Sequence, residues 1–127
     1  MHIEHVAFLM EDPVRAAKWY SDNLGFKIIK EMKDHPYAHF LSDDSGMLLE
    51  IYRPSDKPLP DYRSMDPLLL HLAFIVEDPE NEKKRLVEAG ATTAGETIHT
   101  PSGDIIANVK DPWGFTLQLI KRKEPLL

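Results

Sequence analysis

His5-Val6-Ala7-Phe8, followed after Leu9-Met10 by Glu11-Asp12-Pro13, returns later in the chain as His71-Leu72-Ala73-Phe74, followed after Ile75-Val76 by Glu77-Asp78-Pro79. An offset of 66 residues carries His5 to His71, Asp12 to Asp78 and Pro13 to Pro79. Further along, Asp43-Asp44-Ser45-Gly46 leads into Met47-Leu48-Leu49-Glu50-Ile51. Asp111-Pro112-Trp113-Gly114 leads into Phe115-Thr116-Leu117-Gln118-Leu119 at an offset of 68. Agreement in register at so many positions marks a duplicated unit, in which His5 and His71 are counterparts, as are Glu50 and Gln118.

Working outward, each copy carries the signals of one strand, one helix and three strands. Asp12 and Asp78 are placed as helix N-caps. The proline after each occupies the first helical position, where its missing N–H costs nothing. Helix 1 carries Val14, Ala17, Trp19-Tyr20 and Leu24 and ends at Gly25. Helix 2 carries Leu86, Val87 and Ala89 and ends at Gly90. Residues 26–31 and 37–41 in the first copy, and 96–99 and 105–109 in the second, have strand composition. Turns fall at 43–46 and 111–114. The spacing predicts module 1 over 1–53, a linker over 54–67 with four prolines and five charged residues, and module 2 over 68–127.

Composition narrows the function. A net charge of −6 argues against a broad nucleic-acid footprint. The two short basic patches, Lys83-Lys84-Arg85 and Lys121-Arg122-Lys123, sit beside acidic residues and read as solvated faces. With no cysteine, neither disulfides nor thiolate chemistry is available, so any metal must be held by imidazole, carboxylate, amide or water. No apolar run approaches the roughly 20 residues of a membrane span, and no basic-then-apolar leader precedes the first strand. The expected location is cytoplasmic.

Strand alternation then gathers the polar groups. His5 and Ala7 share one face of strand 1, opposite Val6 and Phe8. His71, Ala73 and Ile75 oppose Leu72, Phe74 and Val76, in a strand expected to begin near Leu69. Glu50 lies opposite Leu49 and Ile51, and Gln118 opposite Leu117 and Leu119. If the large apolar faces meet the helices, His5, Glu50, His71 and Gln118 all fall on the faces turned away from them. A carboxylate there is costly unless paired or bound to a cation. Two imidazoles, a carboxylate and an amide make a donor set for a divalent metal. His2 and His35 read as surface residues, while alternation leaves His39 and His99 open.

These stretches resemble the vicinal oxygen chelate superfamily, which includes glyoxalase I, methylmalonyl-CoA epimerase, extradiol dioxygenases and the fosfomycin and bleomycin resistance proteins. The likeness runs through Ile3 to Ala7, Asp12-Pro13 to Phe26, Leu48 to Ile51, His71 to Val76 and Lys110 to Ile120. It implies an α+β fold in which two βαβββ modules pair into an open, cup-shaped mixed sheet with helices on the outer faces. It implies a divalent metal (Ni, Zn, Co, Mn or Fe) held by His5, Glu50, His71 and Gln118. It also implies a small-molecule substrate and a homodimer.

The pattern is broken at Gln118, where glutamate is usual in glyoxalase I, the epimerase and the dioxygenases. An amide can ligate through oxygen but cannot act as a base near neutral pH. Glu50 is therefore the one carboxylate left to move a proton. The expectation is a metal-dependent, glyoxalase I-like lyase or isomerase with Glu50 catalytic. The alternatives are a metal-free binding protein of the bleomycin-resistance type and an Fe(II) ring-cleaving dioxygenase. Arg53 and Arg63 are the nearest basic residues for a glutathione carboxylate, and no clear set of them is visible.

Overall fold

The strands of each copy alternate in side-chain direction, and each copy has one helix to cover one sheet face. In the computed structural model, which describes residues 1–127, this pattern produces two compact units, Met1–Pro60 and Asp61–Leu127. The fold is α+β, with open mixed sheets of four and five strands.

Unit 1 runs β1 (His5–Leu9), α1 (Pro13–Leu24), β2 (Lys27–Glu31), β3 (His39–Ser42) and β4 (Leu48–Tyr52). Its sheet has the order β1-β4-β3-β2, with β1 parallel to β4 and the rest antiparallel. Asp12 caps α1 as expected, accepting from the Arg15 N–H at 3.1 Å, and Gly25 ends the helix in the left-handed region at φ 77°. Ala16, Ala17 and Tyr20 of α1 are buried with Phe8, Leu41, Leu49 and Ile51 of the sheet, and Tyr20 stacks on Phe26.

Unit 2 runs β5 (Leu72–Ile75), α2 (Pro79–Glu88), β6 (Thr92–Thr93), β7 (Ile98–His99), β8 (Ile105–Lys110) and β9 (Thr116–Lys121). β5 is parallel to β9, β9 pairs β8, and both β6 and β7 lie along the far side of β8. The single second strand expected at 96–99 is thus two short pieces. Gly95, at φ 87°, interrupts the run between them. In unit 1 the equivalent strand stays whole and absorbs its irregularity as a register shift between Ile28 and Lys30.

One further expectation is corrected. The strand predicted from Leu69 begins only at Leu72. The Asp66 carboxylate accepts from Leu68 N–H, and its carbonyl accepts from Leu69 N–H, so the leucines are held in a turn, with Leu68, Leu69 and Leu70 exposed. Within the predicted linker, the stretch after Pro60 has structure of its own. Tyr62–Ser64 forms a 3-10 turn, and Tyr62 is buried edge-on to Phe115 with ring centroids 4.9 Å apart. The Lys110 ammonium ties it down by donating to the carbonyls of Tyr62 and Met65.

Candidate functional site

In unit 1 the register decides which side chains meet. Glu50 stands opposite Ala7 on β1 and Phe40 on β3, so Glu50, Ala7, Phe40 and His5 share the face that α1 does not cover. His5 Nε2 lies 3.3 Å from Glu50 Oε2, and His5 Nδ1 lies 3.4 Å from Glu4 Oε1. The imidazole stands edge-on to the Phe40 ring at 5.7 Å. The Glu50 side chain is 19% exposed and that of His5 35%, so the pair is half-sheltered yet open to a small molecule. A carboxylate with an imidazole at this distance can accept or return a proton and can offer two donor atoms to a cation.

In unit 2 the counterparts are arranged differently. Gln118 faces Asn108 across the β8–β9 ladder and donates its amide N–H to the Asn108 side-chain oxygen at 3.3 Å. It lies beside Ala73 of β5, on the face opposite Leu117 and Leu119. His71 precedes β5, and its Nδ1 sits 2.8 Å from the Pro67 carbonyl, which leaves Nε2 as its outward nitrogen. No hydrogen bond joins His71 to Gln118. No group of three or more His, Asp or Glu side chains is gathered closely enough to hold a metal ion.

Of the four residues selected by alternation, the structure therefore brings His5 and Glu50 together and holds His71 and Gln118 through separate backbone and amide partners. His39 lies on the helix-facing side, opposite Ile51, buried with Nδ1 2.6 Å from the Tyr37 carbonyl, so it is a core residue of unit 1. His99 is exposed on β7. Arg63 is committed to the Pro112 carbonyl. Phe40 and Asn108 escaped the sequence reading, although the hairpin register counted back from the two turns would have set them opposite Glu50 and Gln118.

Comparison with known proteins agrees with this fold. A family model described as the glyoxalase/bleomycin resistance protein/dioxygenase superfamily matches residues 2–119. Among solved structures, SMU.1112c is 29% identical, with 95% of this chain and 98% of that one covered and a TM-score of 0.73. A glyoxalase family protein from Enterococcus faecalis is 26% identical over 94% and 97% of the two chains, with a TM-score of 0.70. TnmS3, an antibiotic binding protein from Streptomyces sp. CB03234, is 17% identical over 97% of each chain, with a TM-score of 0.69, a likeness of fold. No curated protein gives a match. With the family pattern covering nearly its whole length and the duplicated βαβββ unit visible in both halves, this chain belongs to the glyoxalase/bleomycin resistance protein/dioxygenase superfamily.

Proposed function

We propose that this chain is a glyoxalase I-like lyase or isomerase that moves a proton on a small substrate carrying two adjacent oxygens. The observation that carries this reading is the His5–Glu50 pair, 3.3 Å apart on the uncovered sheet face of unit 1. The Glu50 carboxylate takes a proton from the carbon beside a carbonyl, leaving an enediolate. It then returns the proton to the neighbouring carbon, so the substrate is isomerised with no net redox change. His5, flanked by Glu4 and Glu50, keeps the carboxylate oriented, and Phe40 supplies one apolar wall.

A divalent cation is the cofactor that goes with this chemistry; when bound, it polarises the substrate oxygens. His5 and Glu50 have the right donor atoms but are only two, and catalytic sites of this kind ordinarily draw on three protein donors. Neither unit alone completes a metal centre. His71 Nε2 and the Gln118 amide oxygen are the further donors the metal reading requires. A homodimer and a cytoplasmic location accompany the same reading.

One second reading is a metal-free protein that binds a small molecule on the same face, a reading prompted by the likeness of fold to the antibiotic binding protein TnmS3. One experiment separates the two. The purified protein, reconstituted in turn with Ni, Zn, Co, Mn and Fe, is assayed on the hemithioacetal of methylglyoxal and glutathione, with metal content measured alongside. Glu50→Gln is expected to lower turnover by at least about a hundredfold while the fold is kept. Unchanged turnover in that variant removes Glu50 from the mechanism. A wild-type protein that neither retains metal nor turns over leaves the binding protein.

A further inference from the structure

Strand register carries a cation onto the face that holds Glu50. Phe40 of β3 stands opposite Glu50 on one side and opposite Lys30 of β2 on the other. Residues paired across a sheet share a face, so Ala7, Glu50, Phe40 and Lys30 form one row across unit 1, on the side that α1 does not cover. Lys30 owes this place to the irregularity in β2. In an unbroken ladder continued from the Ile28–Leu41 pair, Ile29 would oppose Phe40, and Lys30 would oppose His39 on the helix side. One extra residue brings Lys30 to Phe40 instead. Glu31 is then left opposite His39, where Glu31 Oε2 lies 3.6 Å from His39 Nε2.

The Lys30 ammonium is exposed and makes no ion pair or hydrogen bond within the chain. Lys27, on the same strand, is tied to Asp44 at 2.6 Å. Lysine on an edge strand deters pairing with another chain, but that role is indifferent to which face the side chain takes. Adjacent strands lie about 4.8 Å apart, which sets the Cα atoms of Lys30 and Glu50 about 10 Å from each other. Phe40 stands between them, its ring edge-on to His5. The row thus offers an acid–imidazole pair at one end, an apolar platform in the middle and an unpaired cation at the other end.

Unit 2 lacks this cation. Its equivalent row runs Ala73, Gln118 and Asn108. Beyond Asn108 lies Ala94, whose N–H donates to the Asn108 carbonyl at 3.0 Å. The cation is present where the acid–imidazole pair is present and missing where the pair is missing.

We propose that Lys30 binds an anionic end of the substrate, so that the substrate class is a short hydroxyketone or dicarbonyl compound carrying a carboxylate. The paired oxygens lie at Glu50, the linking carbons on Phe40 and the carboxylate at Lys30. One ammonium with no second cation beside it balances a single negative charge, which suits a carboxylate better than a phosphate dianion. The assignment rests on the proton-transfer reading only for which end of the substrate meets Glu50.

The test is a ¹⁵N NMR titration of the whole chain with 5-hydroxy-4-oxopentanoate and with 1-hydroxypentan-2-one, which has the same hydroxyketone and no carboxylate. The anion is expected to shift the Lys30, Phe40 and Glu50 amides saturably and to bind about fivefold more tightly than the neutral compound. Lys30→Met, which keeps the chain length and removes the charge, should erase that preference, and Lys30→Arg should keep it. Equal affinity for the two compounds, no saturable shift with the anion, or a preference retained in Lys30→Met each overturn the proposal. A second measurement keeps this result apart from the reading of Glu50. In D2O the metal-reconstituted protein should exchange the hydroxymethyl protons of the anion faster than buffer does, and Glu50→Gln should lose this exchange while still preferring the anion. Preference without exchange in the native chain removes the proton transfer and leaves Lys30 as the anion site. Exchange without preference removes Lys30 and leaves Glu50.

Discussion

The two units descend from one pattern, yet they use it differently. In unit 1 the histidine of the first strand touches the acidic residue of the fourth, His5 against Glu50. In unit 2 the same two positions hold His71 and Gln118, each tied to another partner, Pro67 and Asn108. The cause lies partly in residue type and partly in backbone. An amide at 118 both donates and accepts, and it finds Asn108 directly across the ladder. A carboxylate at 50 only accepts, faces Phe40 across its ladder, and is left to the imidazole. Beyond that, His5 begins its strand, whereas His71 stands outside β5 at the end of the turn made by Asp66. The frame is kept in both copies, while the contact between first and fourth strand is made in one.

The largest expected effect comes from breaking the equivalence of the two closing turns. Gly46 and Gly114 are counterparts, and both lie in the left-handed region, at φ 98° and 91°. A Cβ on Gly46 would meet nothing within 4 Å. A Cβ on Gly114 would run into Arg63 Cγ and lie 2.9 Å from the Arg63 backbone nitrogen. Gly46→Ala should therefore cost only the backbone term, about 1–2 kcal/mol. Gly114→Ala should add about 1–3 kcal/mol for displacing the Tyr62–Ser64 turn. Urea unfolding of the two variants measures the gap. Equal losses would mean that Arg63 gives way freely and that the turn is not held against Gly114.

Much of the frame was legible because its signals are local. The Asp-Pro caps, Gly25 and the two Asp-led turns need only their immediate neighbours, and they stand where the pattern put them. Alternation placed His5 and Glu50 on one face because side-chain period survives small errors in strand ends. What escaped the sequence depends on longer contacts. Tyr62 reads as linker until Phe115 is known to lie under it. His39 could not be assigned a face until its pairing with Ile51 was fixed. Leu69 and Leu70 read as strand because their composition is apolar, yet Asp66 captures the backbone ahead of them. Arg53 reads in the sequence as a candidate for a glutathione carboxylate; that one of its nitrogens is sealed and unpaired is a property of packing.

A smaller effect sharpens the comparison at the helix starts. The caps are matched in geometry, with Asp12 to Arg15 N and Asp78 to Asn81 N both at 3.1 Å. Their first turns are not. α2 carries Glu80 and Glu82 beside its positive end, while α1 has no acidic residue there. Removing a cap typically costs about 1 kcal/mol. In α2 the Asp78 carboxylate is also repelled by Glu80 and Glu82, so removing it relieves a few tenths of a kcal/mol that has no counterpart in α1. Asp12→Ala should thus be the more damaging by about 0.5 kcal/mol, with the difference shrinking in high salt. The opposite order in thermal unfolding would show that the first-turn charges of α2 contribute nothing.

The smallest effect concerns acid, and here each unit has one aspartate held below the ordinary 3.8. In unit 2 the Lys123 backbone N–H is the main cause for Asp104, followed by the Arg122 guanidinium at 2.7 Å. In unit 1 the Ser45 side chain is the main cause for Asp43, which also accepts from the Ser45 N–H. A carboxylate with a depressed folded value adds stability above its unfolded value and surrenders it as pH falls through the folded one. Both contributions are therefore intact at neutral pH and fade below 3.8. The two should part company in salt and in mutation, since only Asp104 leans on an ion pair. Following the side-chain carboxyl carbons by NMR, Arg122→Gln should move the Asp104 midpoint only partway toward 3.8, because the Lys123 N–H remains, and should leave Asp43 where it was. A full return of Asp104 to the ordinary value would make the guanidinium, rather than the backbone, the main anchor joining the start of β8 to the residues after β9.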